Sequence, residues 1–381
     1  MSVALCLRGA EVLTRGGIAR RDLNIAGGVV TEAPQSRAVD LSGFLVLPGI
    51  VDAHGDGFER HLAPRRGAMK DLGQGLVAAE AELAANGITT AVLAQFYSWE
   101  GGMRGPDFAA RVFAALDAVR PRLDTALLAQ LRFETPMLED YAAMTEMVAR
   151  FAIPYVVFND HLPHDALDKG KRPPRLTGQA LRIGRNPEKH LEMMQALHAR
   201  RGEVPAALEG LARTLKARGV RLGSHDDRTG AARARWHAMG VGLAEFPETQ
   251  EAAEAAREQG DGVVLGAPNV VRGGSHNGNA SAVDLVAMGL CDALASDYHY
   301  PSLRRAAFLL ADAGLCDLAA AWALVSAGPA RLLGLGDRGV LAPGKRADLV
   351  VIEAQNRDIC ATLAGGRITF LRGPAAERFL G

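Results

Sequence analysis

The chain has 381 residues, of which 48% are hydrophobic and 5% aromatic, and its formal net charge is zero. A balanced charge gives no reason to expect nucleic acid or an acidic membrane surface as a partner. No apolar run reaches the length of a transmembrane helix, and the N-terminus lacks the charged start and long apolar core of a signal peptide.

The cysteines give no sign of a disulfide framework or of a CxxC metal site, because they are spaced too widely. They are Cys6, Cys291, Cys316 and Cys360. Reduced, packed thiols are the natural interpretation, and they favour a cytoplasmic location without a membrane partner.

Both ends of the chain are rich in short predicted strands. Alternating apolar residues and glycine-rich turns fill residues 1–47, and strands are predicted again at 346–352 and 367–371. We therefore expect one small β-sandwich domain built from residues 1–47 together with 335–381. The intervening residues 48–334 form the larger domain.

That larger domain alternates short apolar strands with longer helical patterns. Strand candidates lie at residues 44–52, 89–96, 125–133, 155–158, 220–224, 243–246, 262–267 and 293–296. Eight strands with helices between them predict a closed parallel (β/α)8 barrel of the TIM type, so the expected fold class is α/β.

Polar side chains gather where the predicted barrel strands end. The candidate metal ligands are His54, Asp56, Glu134, His161 and His225. His54 and Asp56 stand at i and i+2, so they project to the same face of an extended chain. A single histidine is more often a hydrogen-bonded structural residue, but desolvated charges at this density need a compensating cation. Imidazole with carboxylate predicts one or two divalent ions, with zinc favoured and manganese or iron as alternatives.

The segment 48–54, which reads Pro-Gly-Ile-Val-Asp-Ala-His, resembles the start of the barrel in the amidohydrolase superfamily. Residues 343–349 resemble the C-terminal signature of the same superfamily. The resemblance implies a discontinuous β domain made from both termini. It also implies that Asp297, at the end of strand eight, is the general base for a water whose pKa a bound ion lowers.

Two features depart from the common pattern of that superfamily. Most members begin with His-x-His, whereas this chain has His54-Gly55-Asp56. Many two-metal members carry a carbamylated lysine after strand four, whereas this chain has Asn159-Asp160-His161. If two ions bind, Glu134 is the best available bridging carboxylate.

The departures point to one branch of the superfamily. Residues 54–65, 159–163, 224–227, 266–279 and 296–298 resemble the α-D-ribose 1-methylphosphonate 5-triphosphate diphosphatases of the carbon–phosphorus lyase pathway. The resemblance covers nearly the whole chain. It implies hydrolysis of a ribosyl 5-triphosphate to the 5-monophosphate and pyrophosphate during phosphonate catabolism.

The glycine-rich segment 266–279 follows strand seven, where such barrels often bind phosphate. Its glycines let backbone N–H groups approach an anion, and Arg272 offers a planar fork for phosphate oxygens. The expected contacts of a small phosphorylated sugar are His61, Arg65, Asn269, Arg272, Gly273, Gly274, Ser275, His276 and Asn277. An ordinary flexible turn is the alternative interpretation of so many glycines.

Other functions remain open at this point. The barrel alone equally fits hydrolysis of C–N bonds, as in a deaminase, cyclic amidase or deacetylase. A non-catalytic binding subunit of a phosphonate-handling assembly is a third hypothesis, against which the full set of candidate ligands argues. The family pattern has a shorter and more apolar segment between Tyr298 and Pro301, so His299 and Tyr300 can enlarge or repolarise the substrate end. No apolar helix face singles out an interface, so a homo-oligomer is possible but not specifically indicated.

Overall fold

The computed structural model describes residues 2–14, 16–63, 71–273 and 280–381. Its first part is a run of short strands: β1 (Leu5–Arg8), β2 (Glu11–Thr14), β3 (Gly17–Arg20), β4 (Leu23–Ala26), β5 (Val29–Thr31), β6 (Ala38–Asp40) and β7 (Phe44–Pro48). In β4, Leu23 and Ile25 are buried while their neighbours are less so. This alternation is typical of a strand that covers a core with one face only.

Eight parallel strands follow. They are β8 (Ile50–Gly55), β9 (Ile88–Tyr97), β10 (Ala126–Glu134), β11 (Tyr155–Asn159), β12 (Arg221–His225), β13 (Leu243–Glu245), β14 (Gly262–Gly266) and β15 (Ala293–Ala295). Each pairs in parallel with the next, as where Leu131 of β10 lies opposite Val156 of β11. Every residue of β9 is buried, as expected for a parallel strand between outer helices and a filled barrel interior.

The helices in and after the barrel are α1 (Glu59–Leu62), α2 (Leu72–Ala85), α3 (Pro106–Val119), α4 (Tyr141–Arg150), α5 (His164–Asp168), α6 (Leu176–Arg182), α7 (Pro187–Ala199), α8 (Val204–Ala217), α9 (Gly230–Ala238), α10 (Gln250–Glu258), α11 (Ala267–Arg272), α12 (Ala282–Ala287), α13 (Ser302–Asp312), α14 (Leu318–Ala323) and α15 (Ala327–Leu332). Threonine side chains cap two of them: Thr229 accepts a hydrogen bond at the start of α9, and Thr249 does so at the start of α10. Within the described ranges, none of the helices combines the length and apolar character needed to cross a lipid bilayer.

The barrel closes where strand one meets strand eight. Gly55 forms a parallel bridge with Asp297, whose N–H donates to the His54 carbonyl at 3.0 Å. Lower down, the buried Asp52 carboxylate accepts from the Ser296 N–H at 2.9 Å and from its hydroxyl at 2.5 Å. The predicted (β/α)8 barrel is therefore confirmed.

Strands from the two ends of the chain lie side by side. The last elements are β16 (Leu349–Glu353), β17 (Ile359–Ala364), β18 (Arg367–Leu371) and α16 (Gly373–Leu380). The three strands join a six-stranded sheet of order β18-β17-β16-β7-β2-β3, beside a four-stranded sheet of order β5-β4-β1-β6. A separate apolar core draws on both ends, including Leu5, Ile25, Leu349 and Leu363. These sheets agree with the expected terminal β region, while the division of the chain at residues 47 and 335 stays a prediction.

The predicted strand 44–52 is in fact two strands, β7 in the terminal sheet and β8 in the barrel, with Gly49 between them. The Gly49 N–H donates to the Asp348 carbonyl at 2.8 Å. A Cβ at Gly49 would lie 2.3 Å from the hydroxyl oxygen of the buried Thr89. Glycine thus lets the backbone pass close to Thr89 as it leaves one sheet for the other.

The predicted loop 266–279 begins instead as a helix, α11. Pro268 lies in its first turn, where a missing N–H is tolerated, and Gly273 ends it in the left-handed conformation with φ of 75°. Proline and glycine are typical of helix ends as well as of loops, so the sequence pattern alone does not distinguish a helix from a loop here.

Candidate active site

Polar side chains converge at the carboxyl ends of the barrel strands. On β10, Gln130, Arg132 and Glu134 alternate along the strand, so all three project to the same side. None is more than 5% exposed, and His54 and Glu245 are fully buried. Buried ionisable groups at this density need specific partners, and each pairing limits what the site can bind.

Glu245 orients His54. Its Oε2 lies 2.7 Å from His54 Nδ1, while its Oε1 accepts from Gln130 Nε2 at 2.9 Å and from the Tyr155 hydroxyl at 2.7 Å. Burial alone would raise the pKa of Glu245, but the His54 ring and the Tyr155 hydroxyl outweigh burial and lower it. The ionised carboxylate holds the proton of His54 on Nδ1. His54 Nε2 is then free as a lone-pair donor, and this buried atom has no hydrogen-bond partner in the part of the chain described.

His225 lies beside His54, with ring centroids 5.4 Å apart. Its Nδ1 is 2.9 Å from Asp226 Oδ2, and its Nε2 is 3.0 Å from Arg132 Nη2. Burial lowers the pKa of His225 to about 4, even though the Asp226 charge opposes the shift. The ring is therefore neutral at physiological pH, which is the form that ligates metals.

His161 is held by two carboxylates. Its Nδ1 is 2.5 Å from Glu134 Oε1, its backbone N–H donates to Glu134 Oε2 at 2.9 Å, and its Nε2 is 3.7 Å from Asp226 Oδ2. Burial opposes protonation, but the hydrogen bonds to Asp226 and Glu134 outweigh it and raise the pKa of His161 to about 10. Both Glu134 oxygens thus face His161, and the bridging role expected of Glu134 stays a prediction.

Asp297 and Asp56 meet at the barrel seam. The Asp56 N–H donates to the Asp297 carbonyl at 2.8 Å, and Asp56 Oδ2 lies 3.9 Å from Arg132 Nη1. Burial and then the charge of Asp56 raise the pKa of Asp297 to about 6. A carboxyl with this pKa is mostly ionised at pH 7 yet basic enough to accept a proton from water.

Three side-chain-bearing residues at the site have strained backbones. Asp226, Phe246 and Asp297 have φ of 59°, 53° and 54°, and each follows a barrel strand. Their N–H groups nevertheless donate to carbonyls of the neighbouring strands: Asp226 to Glu245, Phe246 to Val264, and Asp297 to His54. Left-handed residues other than glycine cost of order 1–3 kcal/mol and concentrate at functional sites. Phe246 also packs edge-on against His54 and His225, at 5.0 Å from each ring.

The donor set fits a divalent cation. One ligand atom from each of His54, His225 and Glu245 lies within 4.8 Å of the others, and the same holds for His161, His225 and Asp226. The His54 Nε2, which has no partner among the described residues, and the clustered carboxylates favour a cation there. Of the predicted ligands, the structure brings together His54 and His225, and His161 with His225, while Asp56 lies at the seam beside them.

The predicted substrate contacts are only partly within the described residues. Asn269, Arg272 and Gly273 lie on α11 or at its end, and Arg272 Nη2 donates to Asn269 Oδ1 at 2.8 Å. His61 Nε2 lies 2.5 Å from Glu82 Oε2, so that nitrogen points to α2. The remaining predicted contacts lie outside the described residues: Arg65, Gly274, Ser275, His276 and Asn277.

The Tyr298-His299-Tyr300 segment divides its side chains between surface and interior. Tyr298 is 45% exposed and Tyr300 is buried. His299 Nδ1 lies 2.7 Å from the Ser302 hydroxyl. Among the three, Tyr298 is therefore the side chain exposed enough to meet a substrate directly.

Sequence reasoning assigned no role to Glu245, Asp226 or Arg132. A signal for Arg132 existed: β10 carries a polar residue at every second position from Gln130 to Glu134, inside an otherwise apolar strand. The partners of Glu245 lie 90 or more positions away along the chain, so no local pattern reveals them.

Comparison with known proteins agrees with this geometry. Residues 181–369 match the amidohydrolase family. The chain is 32% identical over 367 residues to the α-D-ribose 1-methylphosphonate 5-triphosphate diphosphatase of Escherichia coli K12, covering 93% of this chain and 97% of that protein.

Solved structures share the fold at lower identity. An N-acyl-D-glutamate deacylase from Bordetella bronchiseptica, complexed with zinc and a phosphonate inhibitor, has a TM-score of 0.62 and 18% identity, with 98% of each chain covered. A 5-methylcytosine deaminase from Klebsiella pneumoniae has a TM-score of 0.63 and 14% identity, over 97% of this chain and 98% of that one.

Proposed function

The chain belongs to the amidohydrolase family and is a metal-dependent hydrolase; from that premise, we propose that it hydrolyses α-D-ribose 1-methylphosphonate 5-triphosphate to the 5-monophosphate and pyrophosphate in phosphonate catabolism. The observation that carries the proposal is the oriented His54 Nε2, which has no hydrogen-bond partner among the described residues and belongs to a residue whose carbonyl accepts from the Asp297 N–H. The chain also covers 97% of a diphosphatase to which it is similar. The hypothesis of a non-catalytic subunit is set aside, because the family is one of enzymes.

The metal centre in this proposal is built from residues already described. His54, His225 and Asp56 would hold one ion, and His161 with Asp226 would hold a second. Zinc suits imidazole with carboxylate, and manganese or iron suits it less well. A divalent ion bound there supplies Lewis acidity and lowers the pKa of a water molecule.

Protein side chains accept a proton from water and bind the phosphate groups. Asp297 accepts a proton from the attacking water, whose oxygen forms a new bond to phosphorus. The P–O bond between the 5-monophosphate and the pyrophosphate breaks, and pyrophosphate leaves. Arg272 and Asn269 on α11 bind phosphate oxygens, with the predicted contacts of the glycine-rich segment. A cytoplasmic location and homo-oligomeric assembly stay predictions.

The test is phosphorus NMR of zinc-loaded protein with 5-triphosphoribosyl 1-methylphosphonate. We expect pyrophosphate to appear, EDTA to stop its release, and Asp297→Asn to reduce turnover by roughly 100- to 10,000-fold. Asparagine tolerates the left-handed backbone at this position, so Asp297→Asn should fold. No pyrophosphate from zinc-loaded, folded protein would reject the proposed substrate.

The second candidate is hydrolysis of C–N bonds. Two structures with the same fold are a deacylase and a deaminase. At identities of 18% and 14%, this similarity indicates a shared fold and not a shared reaction. Turnover of N-acyl amino acids or of cytosine derivatives, with none of the triphosphate, would favour this candidate.

A further inference from the structure

Two arginine side chains converge on one aromatic ring of the barrel strand β9. The guanidinium carbon of Arg132, on β10, lies 4.0 Å from the centroid of the Phe96 ring, and that of Arg104 lies 4.2 Å from it. Phe96 is on β9, and Arg104 ends the short 3₁₀ turn Gly102–Arg104 that follows β9. Stacking on an aromatic face fixes the plane of a guanidinium and reduces the entropy it loses when it binds a ligand.

Arg132 is buried but weakly paired. Its Nη2 contacts His225 Nε2 at 3.0 Å, and the only carboxylate recorded within 4.0 Å, among the residues described, is Asp56 at 3.9 Å. Its Nε is buried without a hydrogen-bond partner in the same set of residues. A guanidinium has five N–H donors, and among the described residues Arg132 has one hydrogen bond, to His225.

Another buried arginine has close carboxylate partners. Arg233 is 0% exposed and pairs with Asp227 at 3.2 Å and with Asp261 at 3.1 Å. Its Nη1 also donates to the Ser224 hydroxyl at 2.7 Å. Among the described residues Arg132 has no carboxylate as close as these, although it is almost as deeply buried, so a structural ion pair does not account for its position.

Arg104 extends the same cluster outwards. Its side chain is 41% exposed and lies 3.0 Å from Glu100.

We propose that Arg132 and Arg104, aligned by Phe96, form a guanidinium pair that binds the polyphosphate of the substrate. Arg132 contacts the phosphoryl group beside His225 and Asp56, and Arg104 contacts the phosphates nearer the solvent. Planar guanidinium forks match phosphate oxygens in pairs, and fixed donors stabilise charge that grows on those oxygens during reaction. The inference rests on the proposed function for its ligand class and adds two residues to the predicted phosphate contacts.

The experiment measures binding of inorganic triphosphate to zinc-loaded protein by isothermal titration calorimetry. Loss of a charge-assisted hydrogen bond should weaken binding roughly 10- to 150-fold in Arg132→Ala, with a smaller loss in Arg104→Ala. Arg132→Lys keeps the charge but not the fork, so it should bind between wild type and Arg132→Ala. Arg150→Ala is the matched control, because Arg150 stacks on Phe151 at 5.0 Å on the outer surface and should bind as wild type does.

Zinc content and circular dichroism are measured on every variant. Unchanged triphosphate affinity in Arg132→Ala and Arg104→Ala would overturn the inference, as would a loss explained entirely by lost zinc. If Arg132→Ala does not fold, Arg132→Lys and Arg104→Ala decide the question. Arginine-dependent binding of triphosphate without hydrolysis of the ribosyl substrate would keep the arginine pair and reject the proposed reaction. Hydrolysis with arginine-independent binding would do the reverse.

Discussion

His54 and Glu245 are joined by a 2.7 Å contact between Nδ1 and Oε2, across 191 positions of sequence. Glu245 is itself held by hydrogen bonds from Gln130 and Tyr155, so rotation of the His54 ring would break its bond to a carboxylate that is fixed in place. The pair therefore sets both the tautomer of His54 and the direction of Nε2, the nitrogen that we propose as a metal ligand.

The first prediction follows from that pair. Glu245→Gln replaces a charged acceptor by an amide, so the preference for the His54 tautomer with a free Nε2 is weakened. We expect zinc affinity to fall roughly 10- to 100-fold, as measured by competition with a chromogenic chelator. Glu258→Gln, the same change on the exposed surface of α10, should leave the affinity unchanged. Equal zinc affinity in the Glu245 variant and in wild type would contradict the assignment.

The second prediction concerns pH and the metal-free protein. The pKa of Asp297 is raised from its ordinary value of 3.8 to about 6, first by burial and then by Asp56. The native state thus binds this proton more tightly than the unfolded chain, and the ionised carboxyl destabilises the native state above pH 6. The destabilisation fades as the pH falls through 6 towards 3.8.

Asp297→Asn removes that ionisation. After allowance for partial exposure, we expect the variant to gain about 1–3 kcal/mol in free energy of unfolding at pH 7 and almost nothing near pH 4. Urea unfolding of zinc-free protein at both pH values measures the difference. A gain of the same size at both pH values would show that the carboxyl charge is not its cause.

The third prediction tests the support beneath the Ser224-His225-Asp226-Asp227 segment. Arg233 binds Ser224, Asp227 and Asp261 with no solvent exposure. Arg233→Met leaves two buried carboxylates without their cation, and we expect a loss of roughly 3–5 kcal/mol in stability. Arg235→Met, on the exposed face of the same helix, is the control. Thermal unfolding that is the same for both variants would argue against a supporting role.

The fourth prediction concerns Gly49, where the chain leaves the terminal sheet and enters the barrel. A methyl group at Gly49 meets the buried Thr89 at 2.3 Å, so Gly49→Ala must displace a strand. Overpacking of this kind typically costs about 1–3 kcal/mol. Gly210→Ala, inside α8 with no atom within 4 Å of the added methyl, should instead stabilise by up to about 1 kcal/mol. Denaturant midpoints of the two variants should therefore move in opposite directions.

Much of the fold could be predicted because its signals are local. Seven of the predicted barrel strands match observed strands within one or two residues, since each is a short apolar run between turns. Residues 44–52 were predicted as one strand because the apolar run continues through Gly49. Only the close approach of Thr89 to Gly49 shows that the chain changes sheets there. Similarly, the segment that forms α11 was predicted as a loop, because Pro268 and Gly273 are typical of turns as well as of helix ends.

The site was predictable where a residue sits at a strand end and not where its role depends on a distant partner. His54 and His225 follow directly from strand position. The orienting role of Glu245 depends on residues of β8, β10 and β11, and the stacking of Arg132 depends on Phe96 of β9. Such relationships arise only when the barrel closes, so no spacing along the chain encodes them.

The barrel seam has a consequence for the order of assembly during synthesis. Asp52 and Ser296 are 244 positions apart, and their bond joins the first barrel strand to the last. A ribosome adding about 5–20 residues per second exposes the first strand for some ten seconds or more before its partner exists. His54 and Asp297 therefore cannot meet in any nascent or truncated chain that stops before the final strand. A chain that stops before the final barrel strand therefore lacks the seam and leaves the first strand with an open β-edge.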